Sequence, residues 1–372
     1  MPAEKKTNEP FKNWYNEELY RHIANELASV GLKFDRKKFL SLTLEGLDQR
    51  ELMERLRQTA IAAEAALSGT YREKVAALCQ IAPKMKRGFV SLSFCDFVAR
   101  YGLDDFEFSM GTLKSLTSLG SAEFAVRPFI QLDPTKALPI MRTWASDESE
   151  HVRRLASEGS RPRLPWGMRL KAIVENPDLT APILEKLKAD PALYVRKSVA
   201  NHLNDIAKDH PDWVLDRVKS WASKDPSTAW IIRHALRTLI KKGHPRALAH
   251  RGVDVAATAH LKVRRFSVEP SKIKLNEPVE ISAELLSSHK KPIALVVDYV
   301  IHYPKASGST SVKVFKWTET TLDPHQPLML KKRQTISDFT TRKHHAGIHR
   351  VELQINGRRL AEAAFQLVTR VK

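Results

Sequence analysis

Trp144-Ala-Ser-Asp147 followed by Val152-Arg153-Arg154 is answered further along the chain by Leu187-Lys-Ala-Asp190 followed by Val195-Arg196-Lys197. A third copy, Trp221-Ala-Ser-Lys-Asp225-Pro226 followed by Ile232-Arg233-His234, fits with a short insertion. The anchors Arg154, Lys197 and His234 stand 43 and then 37 residues apart, the period of HEAT-type paired helices. A unit of this kind cannot bury its apolar stripe alone. Copies therefore stack, and the small rotation between them generates a concave surface suited to an extended ligand.

Outward from these copies, apolar residues recur three and four apart from Asn16 to about Lys242, as in Leu47, Leu52, Leu56 or Ile183, Leu184, Leu187, so this part reads as helical. Beyond His260 the pattern changes to short alternating or β-branched runs: Val279–Ala283, Ala294–Val300, Val312–Phe315 and Val351–Ile355. Pro292, Gly308, Pro324, Pro327 and the hairpin pair Asn356-Gly357 separate them. The expected architecture is a right-handed α-solenoid of HEAT-like repeats over residues 1–256, followed by an immunoglobulin-like β-sandwich over 257–372.

Charge narrows the class of ligand. Among 372 residues, 61 Lys and Arg face 42 Asp and Glu, a formal charge of +19, which calls for a polyanionic partner. From Ala257 to Lys372 there are 20 cations and 10 acids, so the sandwich carries about half of that excess in under a third of the length. No run approaches the roughly 20 apolar residues that span a bilayer, and Met1–Pro10 is polar, unlike a secretory signal. The only cysteines, Cys79 and Cys95, sit in apolar settings without a second Cys or His at metal spacing, and read as buried free thiols. Crowding of Arg342, Lys343, His344, His345, His349 and Arg350 reads as a basic surface; the three histidines lack a further ligand at suitable spacing, so no metal is expected.

In the second repeat Val195, Val199 and Ile206 form a core stripe, while Lys197, Asn201 and Asp205, spaced i, i+4, i+8, line another face. Arg154 and Glu158 stand in the same relation one repeat earlier; His234, Thr238 and Lys242, with Arg233, Arg237 and Lys241 beside them, do so one repeat later. Repeat-equivalent positions thus project cations, amides and two carboxylates into one groove. The connection Arg161-Pro-Arg163-Leu-Pro-Trp166-Gly-Met-Arg169-Leu-Lys171 adds four cations and an aromatic that either stacks on a base or packs the loop.

Carboxylates in a phosphate-binding groove work against binding, and catalysis gives them a purpose. Loss of a base from deoxyribose builds positive charge on the sugar, which a fixed carboxylate stabilises. An alkylated base is already cationic, leaves readily and needs no strong general acid. Ion pairing of Glu158 with Arg154, and of Asp205 with Lys197 or Arg196, is the competing reading of the same spacing.

His151-Val-Arg-Arg-Leu-Ala-Ser-Glu-Gly-Ser-Arg-Pro-Arg-Leu-Pro-Trp166 and Tyr194-Val-Arg-Lys-Ser-Val-Ala-Asn-His-Leu-Asn-Asp205 resemble the central blocks of the AlkC branch of the AlkC/AlkD-type DNA alkylation repair glycosylases. The resemblance runs from the N-terminus to about His250, and the appended sandwich resembles the immunoglobulin-like domain of many members. It implies a monofunctional glycosylase that hydrolyses the N-glycosidic bond of cationic bases such as 3-methylcytosine, 3-methyladenine and, further, 1-methyladenine in duplex DNA. It also implies that no metal or organic cofactor is used and that the base is not flipped into a deep pocket. Carried onto this chain, the catalytic acids are Glu158, Asp205 and, from Ser121-Ala-Glu-Phe-Ala-Val-Arg-Pro-Phe129, Glu123, with Trp166 at the lesion.

The expected DNA contacts in the first repeat and its connection are Arg154, Arg161, Arg163, Arg169 and Lys171. Lys197, Asn201 and His202 follow in the second repeat, Arg233, His234 and Arg237 in the third, and Lys343 in the sandwich, which is expected to complete a clamp. A monomer in bacterial cytoplasm, on the nucleoid when DNA is bound, completes the expectation. The rival reading is a non-catalytic DNA-binding scaffold, since both folds are common interaction modules. It would need the cations without the acids.

Overall fold

The structure is a computed structural model that describes residues 10–85, 88–221, 225–339 and 343–368. Two compact units divide it, Met1–Ala235 and Leu236–Lys372. The division comes before the change from helix to strand, because the short helices Arg237–Lys241 and Pro245–Ala249 are grouped with the sheets. No helix among the described residues is long and apolar enough to cross a membrane.

The described residues of the first unit fold mainly into helices. Its early helices are Glu17–Ala28, Arg36–Leu44, Leu52–Ala66, Tyr71–Ile81, Leu92–Tyr101 and Phe106–Leu116, and those beginning at Glu17, Arg36 and Tyr71 start where the sequence supplies side chains for the otherwise unpaired first N–H groups. Asn16 accepts from the Leu19 amide and Asp35 from that of Lys38, while Thr70 and Glu73 form a reciprocal capping box. Three helix pairs follow where the repeats were read: Pro134–Trp144 with Glu150–Gly159, Ala181–Leu187 with Leu193–Ile206, and Pro211–Ser220 with Pro226–Ala235. The second helices form one layer, with Leu193–Ile206 packed between the other two. The expected core residues Val195, Val199 and Ile206 are all buried.

The expected polar stripe of the third repeat is interrupted. Its helix ends at Ala235, so His234 closes one unit whereas Arg237, Thr238, Lys241 and Lys242 begin the other. Ala222, Ser223 and Lys224 lie outside the described residues. Cys79 and Cys95 are free thiols, Cys95 buried and Cys79 half-buried.

Among its described residues the second unit holds eight strands: β1 (Leu261–Glu269), β2 (Lys272–Lys274), β3 (Pro278–Ser287), β4 (Ile293–Pro304), β5 (Thr310–Leu322), β6 (Leu328–Thr335), β7 (Gly347–Ile355) and β8 (Arg358–Val368). They make two sheets, β1-β3-β6 and β2-β8-β7-β4-β5, antiparallel except for the β2–β8 pair. Alternate residues of β3, β4 and β7, such as Val279, Ile281, Tyr299, Ile301, Val351 and Leu353, form the apolar core. Asn356 and Gly357 join β7 to β8 with φ of 49° and 80°, the left-handed pair that a two-residue hairpin requires. A Cβ on Gly357 would stand 2.0 Å from the Gly243 Cα, so two backbones meet here where only glycine fits.

Candidate active site

Each repeat loop is tied by its aspartate. Asp147, Asp190 and Asp225 accept from the backbone amides of Ser149, Ala192 and Thr228, at 2.9, 2.8 and 2.7 Å. The first cation of each Val-Arg pair then reaches across these loops. Arg153 donates to the carbonyls of Asp147 and Glu148 and to both oxygens of Asp190, one repeat on. Arg196 likewise donates to the carbonyls of Asp190 and Pro191 and to the Ser227 hydroxyl. The structural cation in these two repeats is therefore the residue just before the anchor. Arg154, one residue along and rotated by about 100° on the helix, points elsewhere.

There it enters a ladder of alternating charge. Arg154 donates to Glu123 at 2.6 Å and lies 3.5 Å from Glu158. Arg161 donates to the same Glu158 oxygen at 2.7 Å and to Asp205 at 2.7 to 2.8 Å. Lys208 closes the far end against Asp205 at 2.9 Å. Ser121 donates to Glu123 at 2.7 Å, and the Arg154 guanidinium sits 4.6 Å over the Tyr194 ring. Burial works against both guanidinium charges, but Glu123 and Glu158 beside Arg154, and Glu158 and Asp205 beside Arg161, outweigh it and leave both arginines more basic than usual.

A cavity of about 510 Å³ opens against this ladder. Glu123, Arg154, Glu158 and Arg161 form its polar wall; Phe89, Leu119, Phe124 and Tyr194 contribute apolar surface. Trp166 borders it while 74% exposed, an unusual state for so large an apolar ring, and its backbone holds a left-handed φ of 65°.

The expected site residues thus separate. Glu123, Glu158, Arg154 and Trp166 come together around one cavity. Asp205 does not line it: the residue is 3% exposed and stands behind Arg161. Its stripe explains why, since positions i, i+4 and i+8 drift by about 80° around the helix, from exposed Lys197 through half-buried Asn201 to buried Asp205. Arg161, expected on phosphates, is also buried, spending its donors on two carboxylates.

His202 is a plain correction. It is fully buried, with Nδ1 against the Ser157 carbonyl at 3.0 Å, and burial, reinforced by Arg161, pushes its pKa down to about 3. An uncharged ring sealed between two helices cannot contact DNA. Arg163 is partly exposed and pairs in bidentate fashion with Asp209, whereas Arg169, Lys171 and Arg233 are exposed. His234 stacks on Trp230 at 3.7 Å, and Lys343 is exposed in the sheet unit. Nearby, His344 pairs with Asp338 and His349 is buried on Phe365; Arg342 lies outside the described residues. Among the described residues no group of three His, Cys, Asp or Glu is arranged to hold a metal.

Three contributors to the site were not evident from the sequence. Lys208 and Tyr194 carried no signal apart from their neighbours. Arg127, fully buried beneath the site, sat inside the quoted Glu123 segment, where an arginine amid Ala-Val and Pro-Phe was the available clue.

Residues 114–239 match the family described as DNA alkylation repair enzyme, and residues 262–369 match the C-terminal Ig-like domain of the uncharacterised protein YhaZ. The uncharacterized protein YhaZ of Bacillus subtilis (strain 168) is 40% identical over 357 residues, which are 96% of this chain and 99% of that one. Among solved structures, the alkylpurine DNA glycosylase AlkC of Pseudomonas fluorescens, bound to DNA containing an abasic site analog, superposes with a TM-score of 0.91 at 45% identity. That alignment covers 97% of this chain and 100% of the other.

Proposed function

This chain belongs to the AlkC-like DNA alkylation repair enzymes and is a DNA glycosylase, and from that premise we propose that it excises cationic alkylated bases, 3-methyladenine and 3-methylcytosine first among them, from duplex DNA. The observation that carries the reading is the wall of the cavity: Glu123 and Glu158 beside the exposed indole of Trp166.

When the bond from C1′ to the base nitrogen breaks, its electron pair leaves with the base, which becomes neutral, and the sugar takes up the positive charge. Two carboxylates fixed before the reaction favour that state without having to reorganise. Water then bonds to C1′ and gives up a proton, which a carboxylate accepts. The arginines keep the acids in place while leaving the ladder close to neutral, so the groove does not repel phosphates as bare acids would. Asp205 acts at one remove, by fixing Arg161 and through it the Glu158 oxygen.

The cavity is open, and Trp166 stands at its edge rather than in a closed pocket. This supports attack on a base that stays in the duplex, with the indole against the lesion and exposed Arg169, Lys171, Lys197 and Arg233 on phosphates. The test is release of free base. Purified protein incubated with methylated duplex DNA should liberate 3-methyladenine and 3-methylcytosine and leave abasic sites. Binding to that duplex without release of any methylated base would overturn the reading in favour of a scaffold.

A further inference from the structure

Arg127 opens the helix Arg127–Leu132 and is fully buried. Its guanidinium donates to three backbone carbonyls: Nη1 to Gly159 and Arg161, each at 2.8 Å, and Nε and Nη2 to Met168, the former at 2.9 Å. Gly159 ends the helix that carries Glu158, where carbonyls lack partners in the helix and welcome a cation. Arg161 is the central rung of the ladder. Met168 lies two residues beyond Trp166. One rigid, planar fork therefore joins the end of the carboxylate helix to the tryptophan turn.

That turn needs support. A left-handed φ at a bulky residue persists only where the surroundings impose it. Two backbone hydrogen bonds, Gly167 to the Leu164 carbonyl and Leu170 to that of Pro162, close the turn on itself but tie it to nothing beyond its own segment. The Arg163–Asp209 pair holds the near side of the turn from outside, Arg127 anchors its far side at Met168, and the turn is shaped to admit the guanidinium: a Cβ on Gly167 would stand 3.2 Å from the Arg127 Nε.

We propose that Arg127 is a positioning residue that fixes the Trp166 turn relative to Glu158, so that indole and carboxylate act on one lesion together. This rests on the glycosylase reading. Lysine at this position cannot bridge three carbonyls with one fixed geometry. Arg127→Lys should therefore lower the single-turnover rate of base release by roughly 10- to 100-fold, the scale of a small misplacement at a reacting centre, while changing affinity for the methylated duplex by less than about threefold.

The distinguishing readout is a double-mutant cycle with Trp166→Ala. If Arg127 acts through the turn, Arg127→Lys should add little, under about twofold, to the loss caused by Trp166→Ala alone. Losses that multiply, or a fall in affinity as large as the fall in rate, would overturn the proposal. Gly167→Ala keeps Arg127 and crowds its seat together with the Leu164 side chain, so the same cycle run with that variant decides the matter if Arg127→Lys does not fold. A wild type that releases no base brings down the glycosylase reading, and the inference with it; a releasing wild type with multiplying losses brings down the inference alone.

Discussion

Asp205 in the helical unit and Asp298 in the sheet unit are 3% and 1% exposed, yet they are furnished in opposite ways. Asp205 meets Arg161 through one oxygen and Lys208 through the other. Asp298 has the Gln354 amide at 3.3 Å on one oxygen, and the other has no partner among the described residues. Burial then raises the Asp298 pKa, against the pull of Lys316 and Gln354. Burying ions in pairs seldom gains stability over apolar packing, so a fold that does it repeatedly in one place has another use for the charges. The helical unit does so at Glu158 and Asp205, with half-buried Glu123 beside them; the sheet unit builds its core from Val, Ile, Leu and aromatic residues and carries most of its charge outside.

The sharpest way to break this contrast is to remove a single partner in each unit. Arg161→Ala removes the cation that two buried carboxylates share, leaving Glu158 with Arg154 at 3.5 Å and Asp205 with Lys208, and should cost about 3 kcal/mol in denaturant unfolding. An effect no larger than that of a surface substitution would show the ladder to be incidental. Asp298→Asn, by contrast, removes a poorly solvated carboxyl and should shift stability at neutral pH by about 1 kcal/mol or less, towards greater stability.

Acid should act on the two buried groups His202 and Asp298 in opposite directions. His202 has a folded pKa depressed to about 3, so the unfolded chain binds a proton that the folded chain refuses as pH falls below about 6.5. Its contribution is lost on acidification, and the stability gap between wild type and His202→Gln should narrow by about 1.4 kcal/mol per pH unit between about 6 and 4. Asp298 runs the other way. Its folded pKa is raised, so its contribution is present below the unfolded carboxyl pKa and lost as pH climbs through the folded value; Asp298→Asn should gain on the wild type as pH rises from about 4. Parallel trends for the two variants would contradict the contrast. The smallest expected effect lies on the exposed stripe: Lys197→Ala should weaken duplex binding evenly across sequences and flatten the dependence on salt by about one unit of slope, with release at saturating protein unchanged.

Much of this architecture was legible in the residues. The Asp and Val-Arg pattern located three helix pairs because the same loop closure recurs in each, and short alternating or β-branched runs located the strands that face the sandwich core. Glu158 and Trp166 were legible too, an acid and an aromatic among cations that phosphate binding alone does not need. What spacing could not convey was depth. Lys197, Asn201 and Asp205 share a stripe, but the helix winds it from solvent into the interior. His202, one position from Asn201, turns to the neighbouring helix and the Ser157 carbonyl. Arg161 and Arg163 look alike in the connection, yet one is sealed between acids and the other is partly exposed, because only the fold brings Glu158 and Asp205 to the same guanidinium.

If the paired acids of the helical unit serve chemistry, Glu158→Gln should separate catalysis from binding. Release of 3-methyladenine from methylated duplex should be measured beside affinity for a duplex containing an abasic-site analog. Release should fall about 100-fold or more with affinity equal to or tighter than wild type, the signature of a group used in the transition state. Release at the wild-type rate, or a loss of release matched by an equal loss of affinity, would contradict that role.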